Sequence, residues 1–358
     1  MVKEGKRDID LSPFDGSGCH ELEFSQKVSE AIGLDYTAIG VQVRLPYMEG
    51  YSVYVPFRQI FHEWGINTIT DVYGKTHNID EVDCIWNTSM FKGHKIFKKK
   101  YGDDAWDKYL ETLHKYDFKL GISKYSHHLS HINRMARMNF QYLQCLDFWN
   151  PKYIEWFNDR SQKYDILSPD NHGKIIELAK YTTNLFEKII KGDRFYTFKF
   201  IGKVNDGDYD DADQTSAYMK AVLLNDSMLG DPAVQHYIYS KLQKSIDEAK
   251  IGKIYASGFY HTLVGDMLGY LEYACGKEVI GCLKAHEFYC ETINKGEAVS
   301  FRSPLVDCSE VNKVNIVSNE ITRKWFSYFK DQDVVMINMY DLSLPQQGGA
   351  KLHWLPIQ

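Results

Sequence analysis

Val41-Gln42-Val43-Arg44 and Tyr51-Ser52-Val53-Tyr54-Val55 are two short runs rich in β-branched and aromatic residues, separated by a turn containing Pro46 and Gly50. Runs of this kind, bounded by turn formers, read as strands. Upstream, Glu21 to Ile32 places Leu22, Val28 and Ile32 on one helical face, and Gly33 stands where a helix C-cap would. Ahead of that helix lies Phe14-Asp15-Gly16-Ser17-Gly18, in which Asp15 and Gly16 read as turn formers. Scattered strands punctuated by glycine fit a barrel better than a parallel doubly wound sheet. The expected class is therefore α+β.

Outward from this region the pattern changes twice. From about 127 to 250 it is helical: Leu129, Ile132, Ala136, Phe140, Leu143 and Cys145/Leu146 recur at helical spacing, as do Ile175, Leu178, Ala179, Thr182, Leu185, Phe186 and Ile189. Asp231-Pro232 is an N-cap and N1 pair for a helix through Val234, Ile238, Leu242 and Ile246. From about 251 short strands return: Lys253 to Ala256, Ala298 to Phe301, Val314 to Val317 and Val334 to Asn338. The expected division is 1–125, barrel-like; 126–250, helical and connecting; 251–350, a second barrel-like region; and 351–358, an atypical tail.

With 358 residues, 44% hydrophobic and 25% charged, the chain has an ordinary globular balance, which excludes disordered, collagenous and disulfide-stapled classes. No stretch approaches the roughly 18 uninterrupted apolar residues of a membrane span. The N-terminus has charges of both signs and no apolar core, so no signal peptide is visible. Seven scattered cysteines without a CxxC pair suit a reducing cytosol. The expectation is a soluble cytoplasmic protein without a membrane partner. Net charge is −6, which does not exclude a local basic channel. Nine arginines stand against thirty-three lysines, so each arginine is a candidate for bidentate work on phosphate or carboxylate.

Several constellations invite chemistry and carry little. Asp206-Gly207-Asp208-Tyr209-Asp210-Asp211-Ala212-Asp213 fails as a calcium loop, because Asp211 occupies the place of the sharp-turn glycine and Ala217 that of the bidentate glutamate. It has the ligand type for Mg²⁺, but a solvated loop before a helix is the preferred reading. His127 and His131 are four apart, on one face if helical, without the glutamate of an HExxH site; a surface or supporting pair is preferred. Lys95-Ile96-Phe97-Lys98-Lys99-Lys100 can track a phosphate backbone, although a solvated face is the default. No Walker A, GxGxxG after a strand or GxSxG elbow occurs.

Separated stretches together resemble one family. Phe14-Asp15-Gly16-Ser17-Gly18 followed by Val41-Gln42-Val43-Arg44 is similar to the "DG-x-G … QIR" entry of the RNA-dependent RNA polymerases of RNA interference and of their bacterial and phage single-chain relatives, which transcribe DNA. Thr88-Ser89-Met90-Phe91-Lys92 resembles "SM-x-K", and Ile132-Asn133-Arg134 resembles "LNR", which opens a helix there. Gly281 to Phe288 resembles "G-x-L … GE-x-F", and Gly296 to Pro304 resembles "G-x-V-x-x-x-[KR]-x-P". The order and spacing over residues 14 to 350 carry the likeness more than any one motif. It implies two double-psi β-barrels joined by a helical connection, with template-directed nucleotidyl transfer between them. Basic residues of the first barrel would meet the triphosphate, and a D-x-D-G-D loop of the second would hold Mg²⁺.

Two departures follow. Where the family often has "Y-K-G" the chain has Met48-Glu49-Gly50, and no D-x-D-G-D occurs anywhere. The acidic run at 206–213 precedes the second barrel and cannot substitute on topology. Two readings stand: a nucleotidyltransferase chain cut before its metal site, inactive alone and completed by a second chain, or a non-catalytic nucleic-acid-binding or scaffold protein that keeps the barrels. A coincidental α+β interaction protein ranks third. No catalytic or metal residue is assigned. Arg44, Lys92 and Arg302 are the candidates for contact with nucleotide, or with a DNA or RNA template, and Asn133 and Arg134 for support of the cleft.

Overall fold

The computed structural model describes residues 14–128, 135–145, 169–201, 217–258, 260–293, 295–302, 311–341 and 351–356. The chain forms two compact units, one of residues 1–130, 261–298 and 313–351, the other of 131–260, 299–312 and 352–358. Its strands, in chain order, begin with β1 (Ser17–His20), β2 (Gly40–Leu45), β3 (Met48–Tyr54), β4 (Thr68–Thr70), β5 (Thr76–Asn78), β6 (Cys84–Trp86) and β7 (Gly121–Tyr125). Then come β8 (Met135–Arg137), β9 (Tyr255–Ser257), β10 (Tyr260–Val264), β11 (Glu287–Tyr289), β12 (Gly296–Arg302), β13 (Asn312–Val317), β14 (Val334–Ile337) and β15 (Lys351–Pro356). The class is α+β, as expected.

The first unit holds two sheets. One has the order β6-β1-β3-β2-β7, with β1 parallel to β3 and its other pairs antiparallel. In the other, β10 lies parallel to β14, β14 antiparallel to β11 and β11 parallel to β13. Parallel neighbours within mixed sheets require crossover connections. Helix Leu22–Ala31 lies on the link from β1 to β3, and helices Met267–Ala274 and Glu320–Trp325 on that from β10 to β14.

One apolar core serves both sheets of this unit. Cys19, Val53, Phe57 and Phe61 from the first half pack in a single cluster with Met267, Leu271, Tyr289, Phe326 and Phe329 from the second, nearly all shielded from water. Each fully buried side chain of this size contributes about 1.5–3 kcal/mol, so neither sheet keeps its stability without the other. Polar links reinforce the join. The Gln332 amide oxygen accepts from Ile39 N–H at 2.9 Å and its amide nitrogen donates to Thr37 O at 2.6 Å. Asp333 accepts from His127 N–H at 2.7 Å and lies 2.9 Å from His127 Nδ1.

Local rules explain most elements, and four readings need correction. The β2–β3 turn contains only Pro46 and Tyr47, since Leu45 pairs with Met48. Gly50 lies inside β3, and Tyr47 takes the left-handed backbone, φ 60°, that the second central position of a type II-like turn requires. The helix Leu22–Ala31 forms where expected and Gly33 ends it at φ 76°, but Leu22 and Ile32 are exposed. Its buried face is Ser25, Val28 and Ser29, because Ser25 meets the buried His20 at 2.7 Å and Ser29 accepts from Ala38 N–H at 2.9 Å. His127 and His128 are extended, His128 bridging Gln332, so no helical face carries them; His131 lies outside the described residues.

In the second unit Ala136 sits in β8, paired with Ala256 of β9, rather than in a helix. The helical spacing of Leu129 to Leu146 is broken there: the described chain after Arg134 opens as a strand, and a helix starts at Phe140. The helices Pro169–Ile190 and Pro232–Lys250 stand as read. Asp231 caps the latter by accepting from Ala233 and Val234 N–H at 2.9 and 3.1 Å. Leu185, Phe186, Ile189 and Leu242 form the core of this helical packing with Tyr255.

Candidate functional site

The sequence motifs of the first half converge on one rim of the first sheet. Phe14 to Gly16 make a turn, with Ser17 N–H donating to Phe14 O at 3.1 Å and Gly16 at φ 64°. Gly16 N–H donates to Ser89 Oγ at 2.6 Å, and Ser89 Oγ–H in turn to Asn87 Oδ1 at 2.7 Å. The Asn87 amide reaches Phe14 O. Gly16 O accepts from Tyr51 N–H at 2.8 Å, and Glu49 N–H donates to Met90 O at 2.9 Å. The segments 14–18, 44–51 and 87–92, up to 78 residues apart in sequence, therefore share one hydrogen-bonded junction.

Gly50 makes this junction sterically possible. A Cβ there would sit 2.4 Å from Met90 Cγ and 2.5 Å from Gly16 O. Met90 is fully buried beneath the rim. The glycine of Met48-Glu49-Gly50 is thus a packing residue, and serine 89 of the "SM-x-K" likeness is a backbone acceptor that fixes the Asp15-Gly16 turn.

The cations of the rim are paired. Arg44 and Glu49 face each other across β2 and β3 and form an ion pair with both side chains about half exposed, 47% and 45%. Lys92 Nζ lies 3.8 Å from Asp15 Oδ1, again with both exposed. Exposed pairs of this kind contribute about 0–1 kcal/mol. Arg302 is the last residue of β12; of its side chain nothing is described, and Asn133, Arg134, Ser303 and Pro304 lie outside the described residues, as does the acidic run 206–213. The structure brings Arg44 and Lys92 to the same sheet rim.

In the second sheet the "G-x-L" segment wraps a buried carboxylate absent from the candidate residues. Asp266 caps the helix Met267–Ala274 through Oδ1, accepting from Leu268 and Gly269 N–H at 3.1 and 3.2 Å. Its Oδ2 accepts from Cys282 and Leu283 N–H at 2.7 and 2.9 Å. Gly281 is obligatory there: its φ is 71°, and a Cβ would lie 2.5 Å from Asp266 Oδ2. Burial pushes the Asp266 carboxyl up, and the surrounding amides pull it back. Burial, then the Asp266 charge, pushes the Cys282 thiol up, so it is no nucleophile. The sequence does hold a signal for Asp266, an aspartate immediately before an apolar helical run.

Phe14 ties the two motif regions together within the unit. Its ring lies 5.5 Å from that of Tyr270, whose hydroxyl donates to Ile85 O at 3.2 Å. Further along, Asn338 donates to Glu287 O at 3.1 Å and to Asp341 Oδ2 at 2.8 Å, and His286 N–H reaches the same carboxylate at 2.7 Å. Among the described residues no group of three or more His, Cys, Asp or Glu side chains could hold a metal ion. Asp266 is taken up by backbone amides and Asp333 by His127, so the described residues do not fit the Mg²⁺ that nucleotidyl transfer employs. Five described cysteines, 19, 84, 275, 282 and 290, are free thiols.

Against solved structures, the chain matches RNA dependent RNA polymerase QDE-1 from Thielavia terrestris with a TM-score of 0.51 and 16% identity, over 97% of this chain and 34% of that one. The fold is similar to that of this polymerase over the matched length. The sequence points the same way: the DNA-directed RNA polymerase YonO of Bacillus phage SPbeta is 23% identical over 324 residues, 89% of this chain and 33% of the phage protein. The chain spans about a third of the length of both polymerases. No family model matches it. Among the described residues no helix is long and apolar enough to cross a membrane.

Proposed function

We propose that the chain is the nucleotide- and template-cradling part of a single-chain RNA polymerase, a nucleotidyltransferase of the two-barrel kind, acting in the cytoplasm of a bacterial host. In this reading 1–125 and 251–350 correspond to the two double-psi β-barrels, and 126–250 to the helical connection. Arg44 and Lys92 exchange their internal carboxylate partners for phosphate oxygens, and Arg302 approaches the incoming nucleotide from the end of β12. Asn133 and Arg134 support the cleft. The observation that carries this reading is the junction of the 14–18, 44–51 and 87–92 segments, tied by Gly16 N–H to Ser89 Oγ at 2.6 Å and packed only because residue 50 lacks a side chain.

Synthesis needs the metal-holding aspartates, and the chain has no D-x-D-G-D. Losing one oxyanion donor costs about 10²–10³ in rate elsewhere, so losing the metal ligands abolishes turnover. The chain alone is inactive, and the triad comes from a further segment or a second chain. A non-catalytic nucleic-acid-binding role is favoured instead by the same absence combined with the carboxylate opposite Arg44. Nucleotide incorporation on a primed template, with and without a polypeptide bearing the triad, decides between them. Incorporation only when the triad is supplied supports the polymerase reading, and template binding without incorporation in either case supports the second. Incorporation by the chain alone overturns both.

A further inference from the structure

The helix His94–Tyr101 carries a different kind of charge from the paired rim. Lys95, Lys98, Lys99 and Lys100 are exposed, and none forms an ion pair with a described carboxylate; no acidic residue interrupts 92–101. His94, Phe97 and Tyr101 form the inward side, Phe97 packing on Phe91, Tyr101 and Tyr109. Lys95 and Lys99, four residues apart, share the outward face. Lys98 Nζ lies 6.0 Å from the Tyr73 ring centroid and Lys100 Nζ 4.9 Å from that of Tyr101, so two of the ammonium groups sit over aromatic rings. Burial, then Lys98 and Lys95, hold the His94 imidazole below its usual range, consistent with a positive local field.

At the head of this row stands Tyr47. Its carbonyl accepts from Gly93 N–H at 3.3 Å, its ring lies 6.1 Å from Phe97, and 60% of it is exposed. Its φ of 60° is a conformation that glycine or asparagine adopts with less strain. An aromatic held at such a position at the head of a lysine row, with most of the residue exposed, points to a use for the ring.

We propose that Tyr47 and the helix His94–Tyr101 form a track for a single strand of nucleic acid, the lysines following its phosphates and the Tyr47 ring stacking on one base. Lysine rows with interleaved aromatic rings bind single strands through these two contacts. An acidic polypeptide uses the lysines but has no base to stack, and an anionic membrane surface wants a broader apolar face than Ile96 alone provides. The track extends the proposed nucleic-acid role to residues other than Arg44, Lys92 and Arg302.

Fluorescence anisotropy of a labelled oligothymidylate of about 15 nucleotides, titrated with the full chain over a range of salt, tests it. Single-strand binding falls as log K against log salt with a slope of about −0.7 for each cation engaged, so K95Q/K98Q/K99Q lowers the steepness by about 2. Tyr47→Gly, which relieves the backbone, weakens binding about 5- to 150-fold at fixed salt without lowering the unfolding midpoint. Polyglutamate at matched charge competes only in part, since it meets the lysines but offers no base to the ring. An unchanged slope in the triple variant, with oligonucleotide still bound, overturns the track and leaves the proposed function standing. No effect of Tyr47→Gly, or full competition by polyglutamate, reassigns the row to an acidic partner. No binding by the unmodified chain at any salt overturns both proposals.

Discussion

Replacing Gly50 by alanine adds one methyl group at the place where three motif segments meet. That carbon would lie 2.4 Å from Met90 Cγ, 2.7 Å from Met90 Cε and 2.5 Å from Gly16 O. Met90 is enclosed on all sides and Gly16 O is held by Tyr51 N–H, so neither can step aside cheaply. Overpacking of this kind costs about 1–3 kcal/mol. Gly50 lies outside the left-handed region, so alanine also gains about 0.4–1 kcal/mol by restricting the unfolded chain. The net expectation is a loss of about 1–2 kcal/mol. Gly173, exposed in the helix Pro169–Ile190 with nothing within 4 Å, is the matched control, where alanine gains about 0.8–1 kcal/mol. Urea unfolding followed by tryptophan emission reads both, since Trp86 lies in the same sheet. With a slope of about 2 kcal/mol per molar urea, Gly50→Ala lowers the midpoint by roughly 0.5–1 M. A midpoint at or above that of the unmodified chain, with Gly173→Ala raised as expected, refutes the close junction.

Three further outcomes follow from the same structure. His20 is fully buried between Ser25 and Ser52, and burial pushes its imidazole down to about 3. The unfolded chain takes up this proton near pH 6.5 and the folded chain does not, so stability is complete above 6.5 and falls as pH drops toward 3, by up to about 1.4 kcal/mol per unit. Between pH 7 and 5 the unmodified chain should lose about 2 kcal/mol more than His20→Gln; parallel losses contradict the assignment. Asp266→Ala leaves four backbone N–H groups of Leu268, Gly269, Cys282 and Leu283 without their acceptor, and should cost about 3–5 kcal/mol by denaturant titration, whereas Asp266→Asn, which keeps one oxygen, costs less. Glu49→Gln removes the counter-ion of Arg44, and the salt slope of single-strand binding should steepen by about 0.7; an unchanged slope takes Arg44 off the ligand.

Much of this architecture is legible in the chain itself, where local signals are strong. The β2 and β3 runs, the Gly33 stop and the Asp231-Pro232 cap all behave as local chemistry dictates, because each rests on neighbours in sequence. What failed depended on partners outside the element itself. The apolar spacing through Ala136 looks helical, but pairing with Ala256 across 120 residues makes it a strand. Leu22 and Ile32 lost the inner face of their helix to two serines because a buried histidine and a backbone amide needed oxygen acceptors. Gly50 reads as a turn former until Met90 and Gly16 are seen against it. At the candidate site the sequence supplies the arginine and lysine, while their carboxylate partners emerge only from cross-strand register and from the Asp15 turn. Asp266 was legible as a helix cap but not as the anchor of Gly281 to Leu283.

The proposed function requires the 14–18, 44–51 and 87–92 junction to be a nucleotide-contacting surface. Photo-crosslinking of an azido-purine nucleoside triphosphate to the chain, with the modified peptides located by mass spectrometry, addresses that surface directly. Labelled peptides that contain Arg44 or Lys92, lost on charge reversal at either residue and outcompeted by unmodified triphosphate, are the expected result. Labelling confined to the helices 169–190 and 232–250, or none that unmodified triphosphate displaces, would contradict it.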